Sequence, residues 1–262
     1  MRIGLVYLTK NDIKKSEELF QEMREISQNI EDKEFKGLAR GVFGILFEKK
    51  GEYKKAEEEY NAAINLLKDT EYTKTYIIAY NNCLGSTNYK KQDYKKSLEY
   101  YQKALEIGKE IEDPSSICLT EVMMAYINFI NNSFREAIDS ADNALTIAER
   151  LDDREIASIA SLIKGKIYME QSDYEKANES LNKAVNYAEP TDNNRLKEVI
   201  YLNLALLAKA QNDNIGYEKW LNLGKEKDNF KCAIDNKIAK DKVEQLFKEI
   251  IEEKDFFKRI WL

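Results

Sequence analysis

Reactive side chains decide what chemistry a chain can do. This one, of 262 residues, holds 47 Asp and Glu, 41 Lys and Arg, 16 Tyr, three Cys and no His. Without histidine there is no Ser-His-Asp or Cys-His nucleophile, no imidazole base and no imidazole metal ligand. Neither phosphate-cradling glycine pattern, GxGxxG or GxxxxGK[ST], occurs. Cys83, Cys118 and Cys232 lack paired spacing, which argues against a zinc site and for packing residues in a reducing compartment. Carboxylates cluster at Glu57–Glu58–Glu59 and at Glu252–Glu253, but such runs read as solvated helix surface. The residue types therefore name no catalytic residue, no metal ligand and no cofactor. An enzyme is the remotest of the readings, left open only by carboxylates that folding could bring together.

The elements that position these side chains are written in a repeat. Ile13, Tyr53, Tyr94, Phe134, Tyr174 and Asn214 each follow a polar turn and open an apolar-periodic helix, at steps of 40, 41, 40, 40 and 40 residues. Nine residues before each stands a small one: Gly4, Gly44, Gly85, Ala125, Gly165 and Ala205. Small residues recur three after the opening residue (Ser16, Ala56, Ser97, Ala137, Ala177), and most of the positions ten after it are Ala. Between them, seven after, lie Phe20, Tyr60, Tyr101, Ala141, Leu181 and Leu221. Glycine inside a helix costs about 1 kcal/mol relative to Ala, so its return at one register predicts close approach of two helix backbones there. The turn residues Gly51–Glu52, Gln92–Asp93, Asn132–Ser133, Ser172–Asp173 and Asn212–Asp213 suit left-handed turns and N-caps. Pro114 and Pro190 fall between repeats, where a proline can open the next helix. A fixed period of this length predicts an all-α solenoid of about six helix pairs, each unit burying its apolar face against its neighbours.

This spacing resembles the tetratricopeptide repeat, most closely in the unit Gly44, Phe47, Gly51–Glu52–Tyr53, Ala56, Tyr60, Ala63, and it covers the chain from about Ile3 to about Gly224. The usual period of that family is 34 residues. The excess lies between units, which predicts helices about one turn longer. Such long units resemble those of the Rap–PlcR peptide receptors of bacteria and of some scaffold proteins. The resemblance implies a right-handed α-α superhelix over residues 1–228, with residues 229–262 forming a C-terminal capping helix and an apolar tail.

In that family the first helix of each pair lines a concave groove, at positions twelve, eight and five before the opening residue. Carried onto this sequence, those positions are Gly41, Ile45 and Glu48, then Asn82, Ser86 and Tyr89, then Val122, Tyr126 and Phe129, then Leu162, Lys166 and Met169. The candidate site is Asn82, Ser86, Tyr89, Val122, Tyr126, Phe129, Lys166 and Met169. Aromatic and Met side chains suit an apolar ligand side chain, and Asn82, Ser86, Asn88 and Asn128 could bond a peptide backbone. For any single residue, packing against the next repeat is an equally good reading. The Lys and Asn set with which chaperone-binding members hold a C-terminal carboxylate is missing.

The net charge of −6 argues against a nucleic-acid partner. No apolar run reaches the roughly 20 residues a membrane span needs, and no signal peptide is recognisable. The first helix starts without an N-cap, as it would in the C-terminal part of a longer regulator. Ile238, Val243, Leu246, Phe247, Ile250 and Ile251 give the C-terminal helix one apolar stripe, expected to cover the last pair. The tail Phe256–Leu262 would fold back on it or make a homodimer. The chain reads as a cytoplasmic, non-catalytic module that binds a protein or peptide ligand in its groove, or else as a peptide-sensing regulatory domain.

Overall fold

The computed structural model describes residues 1–69, 73–226, 244–245 and 247–251, and falls into two compact units that divide between Thr120 and Glu121. Twelve helices run through Glu226, with no strand among the described residues.

The first unit holds α1 (Arg2–Thr9), α2 (Ile13–Gln28), α3 (Lys33–Lys49), α4 (Tyr53–Leu67), α5 (Lys74–Lys90), α6 (Tyr94–Glu110) and the start of α7 (Pro114–Ile130). The second holds the rest of α7, then α8 (Phe134–Leu151), α9 (Arg154–Glu170), α10 (Tyr174–Ala188), α11 (Asn194–Ala210) and α12 (Asn214–Glu226). Helices consecutive in the chain pack together, from α1 to α6 in the first unit and from α8 to α12 in the second. In addition α3 touches α5, and α9 touches α11. First helices of adjacent pairs thus lie side by side and share a face.

The second helices begin at Ile13, Tyr53, Tyr94, Phe134, Tyr174 and Asn214, the residues on which the repeat aligns. The turns explain this. Two residues before each start the backbone is left-handed, at Asn11, Gly51, Gln92, Asn132, Ser172 and Asn212. That reverses the chain within a few residues. The side chains of Asp12, Asp93, Asp173 and Asp213 then cap by accepting from Lys15 N, Lys96 N, Lys176 N and Gly216 N, each such cap being worth about 1 kcal/mol. From α3 to α11 the helices run 15 to 18 residues, the extra turn that the long period predicts. Pro114 opens α7, but Pro190 does not open α11: it sits in the turn after α10, and Asn193 caps α11 by accepting from Leu196 N.

The recurrent glycines have a different cause from the one the spacing suggests. A Cβ on Gly44 would stand 2.5 Å from Tyr60 Cδ1, one on Gly85 2.8 Å from Tyr101, and one on Gly165 2.7 Å from Leu181. What crowds the glycine is the large side chain seven residues into the partner helix, lying flat on the first helix. Phe20, Tyr60, Tyr101 and Leu181 are accordingly fully buried. The small residues three after each start (Ser16, Ala56, Ser97, Ala137, Ala177) are fully buried too. Ser97 Oγ donates to Gly85 O at 2.8 Å, tying the two helices of its pair. Tyr60 stacks on Tyr80, with ring centroids 5.9 Å apart, in the core of the first unit. Ile127, Ile156, Ile163, Leu181 and Ile200 are buried in the second.

Candidate partner-binding face

In the first unit the face shared by α3 and α5 is polar and largely satisfied from within. Glu48 accepts from Tyr60 Oη (2.9 Å), from Ser86 Oγ (3.3 Å) and from Lys90 Nζ (2.8 Å). Glu48 and Ser86, expected groove positions of consecutive repeats and 38 residues apart in the chain, are brought together by the packing of α3 beside α5. Asn82 Oδ1 accepts from Thr120 Oγ1 at 3.1 Å, while its Nδ2 has no hydrogen-bond partner among the described residues. Tyr89 is buried with its ring centroid 6.2 Å from that of Tyr94. Asn88 is wholly buried and donates to Leu84 O within its own helix, so it offers no amide to a ligand, contrary to the reading of its position.

Charge elsewhere in this unit is likewise paired. A cleft between α2, α3 and α4 is lined by Arg24, Arg40, Phe43 and Glu59. Both guanidiniums meet Glu59, at 3.3 and 3.1 Å, and Arg24 also lies over Phe43. Burial pushes the Glu57 carboxyl up, but hydrogen bonds from Lys91 (2.7 Å) and Lys96 (2.8 Å) outweigh it and hold the pKa below the usual glutamate value.

The second unit presents an aromatic and cationic face. Val122 and Tyr126 on α7 are buried, and Phe129 and Met169 are half-buried. Lys166 on α9 is only 5% exposed. Its Nζ lies 5.5 Å from the Phe129 ring centroid, and it forms an ion pair with Glu244. An ammonium over two rings and against a carboxylate in a desolvated site can be worth about 2 kcal/mol or more in cation–π attraction alone. The second of those rings is Phe247, 5.2 Å from Nζ.

Glu244 and Phe247 belong to the described part of the C-terminal segment, where residues 244, 245 and 247–251 are helical. This segment lies on the first-helix face itself. Phe247 is fully buried and meets Tyr126 edge to face, with centroids 5.3 Å apart and planes at 89°. That is the favoured geometry for aromatic pairs. Ile250 and Ile251 are buried, and Glu249 pairs with Arg195, at the start of α11, at 3.7 Å. The stripe expected to cover the last pair thus reaches α7 and α9 as well. Ile238, Val243, Leu246, Cys232 and the tail 256–262 lie outside the described residues.

The structure therefore buries five of the eight sequence-predicted residues (Asn82, Tyr89, Val122, Tyr126, Lys166) and leaves Ser86, Phe129 and Met169 partly exposed. Sequence reasoning put Glu48 at an expected groove position but missed its network; it put Phe247 on the apolar stripe of the C-terminal helix without its partners, and it missed Glu244 and Arg195 altogether. The i, i+3 spacing of Glu244 and Phe247 carried a signal for one helix face, though not for what that face meets. Cys83 and Cys118 are buried free thiols. Among the described residues no cluster of metal-ligating side chains occurs, and no helix is long and apolar enough to cross a membrane.

The family model for the tetratricopeptide repeat matches residues 79–108 and 160–191, spanning α5–α6 and α9–α10. No curated protein sequence matches the chain. Solved structures share its fold. Aspartyl phosphate phosphatase F from Bacillus subtilis has a TM-score of 0.74 at 12% identity, over 97% of this chain and 64% of that one. BtubC (BKLC) from P. vanneervenii has 0.72 at 17%, over 86% and 96%. The apo form of RapI has 0.69 at 13%, over 86% and 94%.

Proposed function

This chain carries tetratricopeptide repeats, and from that premise we propose that it is a non-catalytic interaction module which takes a helical peptide, or a helical segment of a protein, on the first-helix face of α7, α9 and α11. One observation carries the reading: Tyr126 and Lys166 already hold a helical segment by one ring, Phe247, and one carboxylate, Glu244, and Ile250 and Ile251 of the same segment are buried. A face that accepts an amphipathic helix from its own chain has the shape and chemistry to accept one from elsewhere, which is the helix-in-groove mode of recognition. Asn82, with its buried amide donor unpaired, is a lesser contact in the first unit, since an acceptor there would relieve a desolvated N–H. The repeats fill residues 1–228 and the segment beyond them is a separate functional part. The buried thiols fit a reducing, cytoplasmic setting.

The test is selection of a displayed library of helical peptides on the full chain, followed by affinities for Tyr126→Ala and Phe129→Ala variants whose circular dichroism is unchanged. Losing one aromatic anchor at the centre of an interface should weaken binding roughly tenfold to several-hundredfold. Peptides that bind both variants as well as the parent would place the site elsewhere.

A further inference from the structure

Resting on that proposal, we infer that the segment 244–251 is a built-in competitor, and that the partner which displaces it is an amphipathic helix bearing a carboxylate three residues before an aromatic. The pattern is read from the segment itself. Glu244, Phe247 and Ile251 fall at i, i+3 and i+7, on one helix face. Glu244 meets Lys166, Phe247 meets Tyr126 and Lys166, and Ile251 is buried. A further carboxylate, Glu249, faces Arg195.

Lys166 makes the requirement selective. A cation only 5% exposed is costly to leave without a counter-charge, because removing its carboxylate leaves a buried ammonium. Any helix that evicts the segment must therefore return a carboxylate to Lys166 and a ring to the space between Tyr126 and Lys166. A purely apolar helix would strand the ammonium, and a basic one would repel it. Being tethered, the segment acts at a high effective concentration. The apparent affinity for a partner is then lowered by the fraction of chains in which the face is free. Exposure agrees: Glu244 is 44% exposed in its ion pair while Lys166 is not, so the carboxylate is the half of the contact that can leave.

The experiment uses the full chain and a fluorescent peptide of residues 240–254, KDKVEQLFKEIIEEK. Its affinity is measured by anisotropy for the parent chain, for Phe247→Ala and for Glu244→Lys. The second variant alters a half-exposed position and guards against misfolding of the first. Both substitutions weaken the resident helix, so the peptide should bind each variant at least tenfold more tightly than it binds the parent. Adding Lys166→Glu to the Phe247→Ala chain should cut that affinity at least tenfold, and a peptide carrying Glu244→Lys should restore it. Equal affinity for parent and variants, no saturable binding to either folded variant, or indifference to Lys166→Glu would each overturn the inference. So would sedimentation of the parent as a dimer that exchanges this helix between copies. If library peptides bind in a Tyr126-dependent way while the 240–254 peptide does not, the inference fails and the binding face stands; if neither binds, both fail.

Discussion

The glycine that recurs nine residues before each second helix can be tested where its crowding is clearest, at Gly44. An Ala there gains about 1 kcal/mol of helix propensity. Its Cβ, however, would stand 2.5 Å from Tyr60 Cδ1, inside any real carbon–carbon contact. Tyr60 cannot swing away, since it is fully buried, stacks on Tyr80 and donates to Glu48. Overpacking of this kind costs about 1–3 kcal/mol, so Gly44→Ala should come out destabilising by about 1 kcal/mol. Tyr60→Ala alone removes a buried ring and should cost about 3–5 kcal/mol. With the ring gone the added methyl meets no obstacle. Gly44→Ala in the Tyr60→Ala background should then be stabilising by about 1 kcal/mol, a coupling of about 2 kcal/mol in the cycle. The fourth repeat is already this double variant: Ala125 and Ala141 occupy the two positions there, and both are fully buried. Urea denaturation of the four chains, followed by helical circular dichroism, reads the cycle. If Gly44→Ala destabilises equally with and without Tyr60, the ring is not the reason for the glycine.

Four further outcomes follow from the turns and the charged contacts. Gly51 has φ +75° with nothing within 4 Å of its Cβ position, so Gly51→Val meets strain alone and should lower stability by about 1–2 kcal/mol. At the equivalent left-handed site, Ser172→Gly should lose little or gain up to about 1 kcal/mol in the same denaturation assay. Because the pKa of Glu57 is lowered in the folded chain, its contribution is fully present above the unfolded glutamate value and disappears as pH falls through the folded one. Glu57→Gln should therefore lower Tm at pH 7 by the equivalent of about 0.5–1 kcal/mol and leave Tm at pH 2.5 unchanged. An equal drop at both pH values would show packing, not charge. Lastly, the hydrogen bond to Glu149, with burial second, pushes the Tyr187 hydroxyl up to about 12. Ultraviolet titration of Glu149→Gln against the parent should show one tyrosine returning toward 10.

The repeat was legible because its determinants are local. A left-handed residue stands two positions before every second helix, and an aspartate caps four of the six, so each begins where the alignment of Ile13 with Tyr53, Tyr94, Phe134, Tyr174 and Asn214 puts it. Pro190 lies between repeats as its position suggests, but a proline there fits a turn as well as a helix start, and here Asn193 provides the cap. The glycine register was found but its cause was not, since sequence spacing tells that space is scarce without telling whether backbone or ring fills it. For the proposed binding face, the four-then-three spacing puts the candidate positions on one face of each helix. Their occupant was not legible, because nothing in the spacing from Glu244 to Ile251 says that its apolar stripe will meet Tyr126 and Lys166, some eighty to one hundred and twenty residues earlier.

The two units solve the same geometric problem with different chemistry, and the difference argues for where binding resides. In each, adjacent first helices lie side by side and turn the same register positions toward a common face. In the first unit those positions close on themselves: Glu48 takes three hydrogen bonds from Tyr60, Ser86 and Lys90, and Asn82 accepts from Thr120. A ligand there would have to break contacts the chain already makes with its own neighbouring helix, and breaking a buried charge-assisted bond costs more than an average one returns. In the second unit the corresponding positions are Tyr126, Phe129 and Lys166, and their contacts run to a segment distant in sequence. Exchanging that segment for a chemically similar helix conserves every class of contact, so the free energy of displacement is a difference between two like terms. A repeat array gains selectivity this way without changing its scaffold: the register fixes which positions face the ligand, and the residue types at those positions decide whether a face is closed or open to exchange.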